Sequence, residues 1–224
     1  MATRRLTLLG LLLSGMVAFS AQAAGNLPDA CTAALKRAFA AAVDAKTLPN
    51  ACKRIGPVTL GMSKQEVMAA LGQPDITHTD AKDPDTLSIA YLYPREFKAQ
   101  LVQHPRPVDT LVYSQLTVRF RNDRVINLVA FANMKIPLPF NLLGQPVGTH
   151  IDRILQAIGG EPLWNASRDY VQFKDLPLAM DVDPDTSAII GLGIADTKDD
   201  LESFSPLGLQ LLKDPQSGLI NGVR

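Results

Sequence analysis

Hydrophobic and polar positions along this chain alternate between two periods. In GMSKQEVMAALGQP, residues 61 to 74, Val67, Met68 and Leu71 recur at helical spacing and make one apolar stripe. Ser63 is a natural N-cap, and Glu66 three residues on completes a capping box, each side chain satisfying the other's free backbone N–H. Gly72 suits the stop and Pro74 prevents continuation. A second stretch, GTHIDRILQAIGGEP, repeats the layout 87 residues later. Thr149 is read as its cap, with Asp152 three on. Ile151, Ile154, Leu155 and Ile158 form the stripe, Gly159 and Gly160 end it, and Pro162 blocks extension. Every residue that looks like a motif here has an architectural job.

Each helix is followed by the two-residue period of strands. After the first come a polar stretch, DITHTDAKDPDT, the strand LSIAYLYP and a loop containing QHPRPVDT. The pair within LVYSQLTVRFRNDRVINLVAFANMK follows. Leu116, Val118 and Phe120 alternate with Thr117, Arg119 and Arg121, and Asn122-Asp123 is the turn. The returning strand starts near Val125. Both of its alternating sets are apolar, so the hairpin register stays open. After the second helix come DYVQF, then LAMDV and AIIGLGIA joined across Pro184-Asp185, then the polar run DTKDDLESF. The proline-rich NMKIPLPFNLLGQPVG reads as a linker. CTAALKRAFAAAVDA, near the start, reads as a helix.

Composition changes this picture at the N-terminus. Arg4 and Arg5, the apolar run LTLLGLLLSGMVAF and Ala21-Gln22-Ala23 have the layout of a cleaved secretory signal peptide over residues 1–23. The apolar run is shorter than the ~20 residues that a membrane span needs. LPDA before Cys31 lacks the character of a lipobox, so a periplasmic or secreted protein without a membrane span is expected. Removing Arg4 and Arg5 from the 22 basic residues leaves 20 against 22 acidic ones. That balance argues against a nucleic-acid partner, whose capture needs clustered positive charge. The two cysteines, Cys31 and Cys52, fall close together, and in an oxidising compartment they are expected to form a disulfide. The expected division is leader 1–23, N-terminal helical segment 24–56, first unit 57–138, second unit 139–204 and tail 205–224.

The string L-G-M-S-x-x-E-V-x-x-x-L-G-x-P at Leu60–Pro74, followed by antiparallel strands around Asn122, resembles the BamE (SmpA/OmlA) family of outer-membrane protein assembly. Gly148, Thr149, Ile154, Ile158, Gly159 and Pro162 match more thinly in the second copy. Two such modules in tandem resemble the β-lactamase inhibitor protein group. The resemblance implies an α+β fold of two tandem helix-plus-antiparallel-sheet units, preceded by the disulfide-tied helix. BamE-like proteins are usually single-module lipoproteins, and this chain departs from that pattern.

Candidate chemistry is sparse. His78, His104 and His150 stand apart, without the i, i+4 or cysteine partners of a zinc site. Neither GxSxG nor a Walker motif occurs. DVDPDTS, from Asp181, has the aspartate spacing that opens a calcium loop. Thr186 and Leu192 stand where such a loop needs Gly and Glu, so a polar strand turn is expected instead. No catalytic residue, metal or cofactor is expected. Thr117, Arg119 and Arg121, on the strand face opposite Leu116, are candidates for protein binding. So are Tyr91 and Tyr93, two apart on a strand, and Trp164 just past Pro162; tyrosine, tryptophan and arginine dominate interface hot spots. The expected function is non-catalytic binding of another envelope protein. The alternatives are inhibition of an envelope hydrolase, or an enzyme whose site is assembled from distant residues.

Overall fold

The structure is a computed structural model that describes residues 29–41, 47–79, 84–95, 114–133 and 135–202. The leader, the loop around His104 and the tail 205–224 lie outside the described residues. The chain runs through α1 (Ala30–Ala40), β1 (Arg54–Ile55), β2 (Val58–Thr59), α2 (Lys64–Leu71) and β3 (Ile76–Thr79). Next come β4 (Thr86–Tyr93), β5 (Ser114–Arg121), β6 (Arg124–Phe131), α3 (Ile151–Ile158) and β7 (Pro162–Trp164). It closes with β8 (Tyr170–Phe173), β9 (Leu176–Asp183), β10 (Ala188–Ala195) and α4 (Lys198–Glu202).

β3 to β10 form one antiparallel sheet of eight strands in the order β3-β4-β5-β6-β10-β9-β8-β7. Each run of four is a meander led by a helix, and the last strand of one run pairs with the last strand of the other. The seam registers Leu192 opposite Ala130 and Ile194 opposite Leu128. One apolar cluster crosses that seam. It draws Val67 from α2, Leu35 from α1, Ile154 and Ile158 from α3, and the inward residues of β4 to β10.

The capping box forms as the sequence predicts. Glu66 N donates to Ser63 Oγ at 3.3 Å, and Ser63 N donates to Glu66 Oε2 at 2.7 Å. The Ser63 backbone N–H first, and then the Ser63 hydroxyl, which donates to Glu66 Oε2 at 2.8 Å, hold the Glu66 carboxyl below its usual range. In α3 the cap is His150, one residue later than expected; its Nδ1 accepts from Asp152 N. Thr149 Oγ1 instead donates back to Pro146 O at 2.7 Å. The reason lies in how the lead-in is stitched to the sheet. Thr149 takes the place that Met62 has before α2, its carbonyl accepting from Ile189 N as Met62 O accepts from Val125 N. In both helices the next residue, Ser63 or His150, forms the bridge to the sheet and is the cap.

Both helices start in the same way. Before α2, Gly61 N donates to Val125 O and Val125 N to Met62 O, at the start of β6. Before α3, Gly148 N donates to Ile189 O and Ile151 N to Ser187 O, at the start of β10.

Cys31 and Cys52 form a disulfide across 21 residues. It ties the first turn of α1 to the turn before β1. The far end of α1 packs on the β8 side, where the Phe39 and Phe173 rings lie 5.2 Å apart. Gly160 is glycine because Phe39 comes so close: a Cβ there would meet the ring at 2.6 Å. The proline-rich stretch after β6 is irregular yet packed, with Leu138, Leu142 and Leu143 buried. Three segments escape the sequence pattern. β3 lies inside the stretch read as polar, β7 is only three residues long, and α4 lies inside the run DTKDDLESF.

Candidate interaction surface

The helices α1, α2 and α3 cover one face of the sheet. The other face follows from strand alternation and register. β4 and β5 set Ala90 opposite Thr117, Ser88 opposite Arg119 and Thr86 opposite Arg121. Toward the other edge come Asn127, Gly191, Gly193, Asp181, Ala179, Tyr170, Gln172 and Leu163.

α4 packs on this second face. Leu201 joins Ala179 and Ala195 in a small apolar cluster and sits 3.3 Å from where a Gly193 Cβ would be. Asp200 accepts from Arg121 Nη1 at 2.8 Å through its carboxylate, and from Asn127 Nδ2 at 3.1 Å through its carbonyl. Thr197 caps the helix, its Oγ1 accepting from Asp200 N at 3.1 Å. The T-x-x-D spacing of Thr197 and Asp200 is the signal in the sequence that could have revealed this helix.

The predicted binding residues do not gather into one accessible set. Thr117 and Arg119 are buried, at 2% and 8% exposure. Arg121 alone of the three is half-buried rather than buried, and it is engaged by Asp200. The two arginines therefore do not present paired forks to solvent.

Tyr91 and Tyr93 belong to the interior. Tyr91 OH donates to Gly72 O at 3.1 Å, closing the C-terminus of α2, and burial pushes its phenol up to about 12. The Arg95 guanidinium lies 5.2 Å from the Tyr91 ring centre and pairs with Asp75 at 2.7 Å. Tyr93 meets Phe140 edge-on at 5.9 Å, and burial raises its phenol as well. Both tyrosines hold the α2 side together.

Accessible aromatic and cationic groups meet instead at the hairpin β7–β8. Leu163 is half exposed, and no other large apolar side chain among the described residues is exposed. Trp164 is half-buried, and the exposed Arg168 guanidinium lies 5.0 Å from its ring centre. Within the connecting loop, Asn165 Nδ2 and Ser167 Oγ both donate to Asp169 Oδ1. Those bonds, Asn165 first, hold the Asp169 carboxyl below its usual range. Tyr170 and Gln172 are half-buried on the second face, with Gln172 Nε2 donating to Tyr170 OH at 3.0 Å. Of these, the sequence pointed only to Trp164. The alternation of Tyr170 and Gln172 with Val171 and Phe173 in DYVQF was the available signal.

The aspartates of DVDPDTS divide between two roles. Asp183 Oδ1 accepts from Asp185 N, Thr186 N and Thr186 Oγ1, and the Thr186 backbone bond is the chief reason its carboxyl is lowered. That makes a polar turn. Asp181 is buried on the second face. Among the described residues, no three His, Cys, Asp or Glu side chains come together as a metal site. His150 is spent on its cap and His78 lies on the edge strand β3. A pocket of about 500 Å³ beside α4 is lined by Thr47, Lys174, Asp175, Asp196, Thr197, Lys198 and Asp199. Lys198 Nζ donates to Lys174 O there, at 2.9 Å. Neither His78 nor His150 lines it. Among the described residues, no helix is long and apolar enough to cross a membrane.

No family model and no curated protein matches the chain. One solved structure with some likeness is a cysteine-rich secretory protein from Staphylococcus aureus subsp. aureus Mu50. It is 11% identical, with a TM-score of 0.43, and the overlap covers 66% of this chain and 48% of that one. So slight an overlap bears on neither fold nor function.

Proposed function

We propose that this chain is a non-catalytic, exported protein-binding module. In this reading it consists of two tandem units of the BamE and β-lactamase-inhibitor kind. It engages another envelope protein through the β7–β8 hairpin and the adjoining second face. The observation that carries the binding role is the hairpin itself, where an exposed Leu163 stands beside Trp164, Arg168 and Tyr170. Tryptophan, arginine and tyrosine supply most hot-spot energy at protein interfaces, and the exposed Leu163 adds apolar surface next to them.

The tandem reading is supported by the two helix-led meanders and by the matching way each helix start is stitched to the first residues of its fourth strand. Export is supported by the disulfide, since such bonds persist in oxidising compartments.

The test uses the purified protein as bait on envelope extracts, followed by titration of whatever it holds. Leu163→Asp should weaken that affinity by at least about tenfold, because it buries an unpaired charge in the interface, with the melting temperature unchanged. Equal affinity in wild type and variant would remove the hairpin from the interface. If the captured partner is a hydrolase that loses activity on binding, the module acts as an inhibitor. Substrate turnover by the purified protein itself would overturn the non-catalytic reading.

A further inference from the structure

Asp181 is the carboxyl buried on the second face away from the helix caps and ion pairs. Its residue is 3% exposed, and its Oδ1 is buried without a hydrogen-bond partner. It stands on β9 directly opposite Gly191 of β10 and Tyr170 of β8. Beside Gly191 the β9–β10 register shifts, between Ile189 and Gly191, so the carboxyl lies next to a break in the ladder. It also occupies the space that a Gly191 Cβ would need, which makes glycine the residue that fits there.

Among the described residues, the surroundings offer no cation. β8 brings the Tyr170 phenol and, just before the strand, Asp169, whose negative charge acts on Asp181. Opposite it, β10 has no charged side chain. On its own strand, Asp183 is occupied by the turn. α4, on the same face, carries Lys198, which donates to the Lys174 carbonyl, Asp199, which is exposed, and Asp200, which pairs with Arg121. A carboxylate in such a place is costly, and a neutral carboxylic acid is much less so. Burial first, and Asp169 second, push its pKa well above 3.8.

We propose that Asp181 is a proton-operated latch on the β9–β10 pair, closed when its carboxyl is protonated and loosened when the proton leaves. The ionised group can gain solvation only by admitting water where the β9–β10 ladder is already broken. The adjoining residues join other parts of the fold. Ile190 O accepts from Ala132 N across the seam, and Ile189 holds the lead-in to α3 on both sides. Loosening here therefore reaches the seam and α3 together. The native state keeps a proton that the unfolded chain releases. The penalty is thus absent below 3.8, the ordinary value, and grows as pH rises toward the folded value.

Urea unfolding of the purified protein across pH 5 to 8, beside Asp181→Asn, tests the latch. Asparagine keeps the shape and stays neutral. In the wild type, the unfolding constant attributable to this group should rise with pH, by up to about tenfold per pH unit. Asp181→Asn should flatten the profile and be the more stable protein at pH 8. Parallel profiles would overturn the proposal. Infrared difference spectra of wild type labelled with 13C-aspartate, recorded on titration, give a second reading even if the variant fails to fold. A carboxylic-acid carbonyl band persisting above pH 5 is expected, and its absence would overturn the proposal equally.

Discussion

The two helix-led halves of the sheet share a connection pattern and differ in how their helices are held. α2 buries one residue fully, Val67, and depends on its ends: a capping box at the start, and the Tyr91 hydroxyl on Gly72 O at the finish. α3 buries Ile151, Ile154 and Ile158 and has a single weak cap from His150. α1 lies beside it, anchored by the disulfide, with Phe39 filling the space that Gly160 leaves. One helix is thus defined mainly by hydrogen bonds at its termini, and the other by an apolar stripe and a neighbouring helix. The difference shows that a repeated sequence layout does not guarantee a repeated division of stabilising forces.

Substitutions can break that contrast. Val67→Asp should have the largest effect, roughly 4 kcal/mol or more, because it puts an unpaired charge where α2 has its one fully buried contact. Denaturant unfolding measures it, and a loss under about 1 kcal/mol would mean that α2 is held by its ends alone. Ile154→Ala should cost about 2–5 kcal/mol by the same measurement.

Opening the disulfide with the paired Cys31→Ser and Cys52→Ser changes should cost about 3 kcal/mol. Its local signature should be lopsided. Amide exchange should quicken in α3 and β8, which α1 covers, more than in α2. Equal quickening in both halves would show that α1 supports the whole sheet. Ser63→Ala should cost about 1 kcal/mol. The smallest effect belongs to His150→Ala, expected at a few tenths of a kcal/mol up to about 1, since His150 has no reciprocal bond like that of Glu66. A larger loss at His150 than at Ser63 would reverse the comparison.

Legibility in the sequence followed the range of the forces involved. α2 could be read to the residue because its cap, box and stop are contacts within a dozen positions. The β5–β6 turn was legible too, with Asn122 and Asp123 at φ 50° and 60° as a tight hairpin turn demands. The register of that hairpin was not legible. The pairing shifts between Arg119 and Phe120, leaving Ile126 as an extra residue, so neither alternating set of β6 alone marks the core. The cap of α3 lies at His150, the position equivalent to Ser63, because the bridge to β10 at Ala188 sets where the helix starts, and that long-range contact leaves no local mark.

The candidate surface was the least legible part. Arg119 and Tyr91 have the composition of interface residues, but their burial is set by strands and helices far away in sequence. Leu163 looked like an ordinary apolar residue, and only its edge position brings it into solvent. The Arg121–Asp200 pair joins positions 79 residues apart, a span that no local pattern announces.

The seam between β6 and β10 has a consequence for the order of assembly. β6 is complete in the chain 57 positions before the strand that covers it begins at Ala188. As synthesis proceeds from the N-terminus, the first meander can form while the flank of β6 still shows unpaired N–H and C=O groups. A bare strand flank of this kind is a template for the wrong neighbour, including β6 of another copy. Residues 132 to 195 must therefore be made and folded back before the sheet is safe from self-association. The seam makes closure a late, non-local event, which slows folding relative to a protein of mostly local contacts. A holdase that shields open strand flanks would be most useful to this chain during that interval.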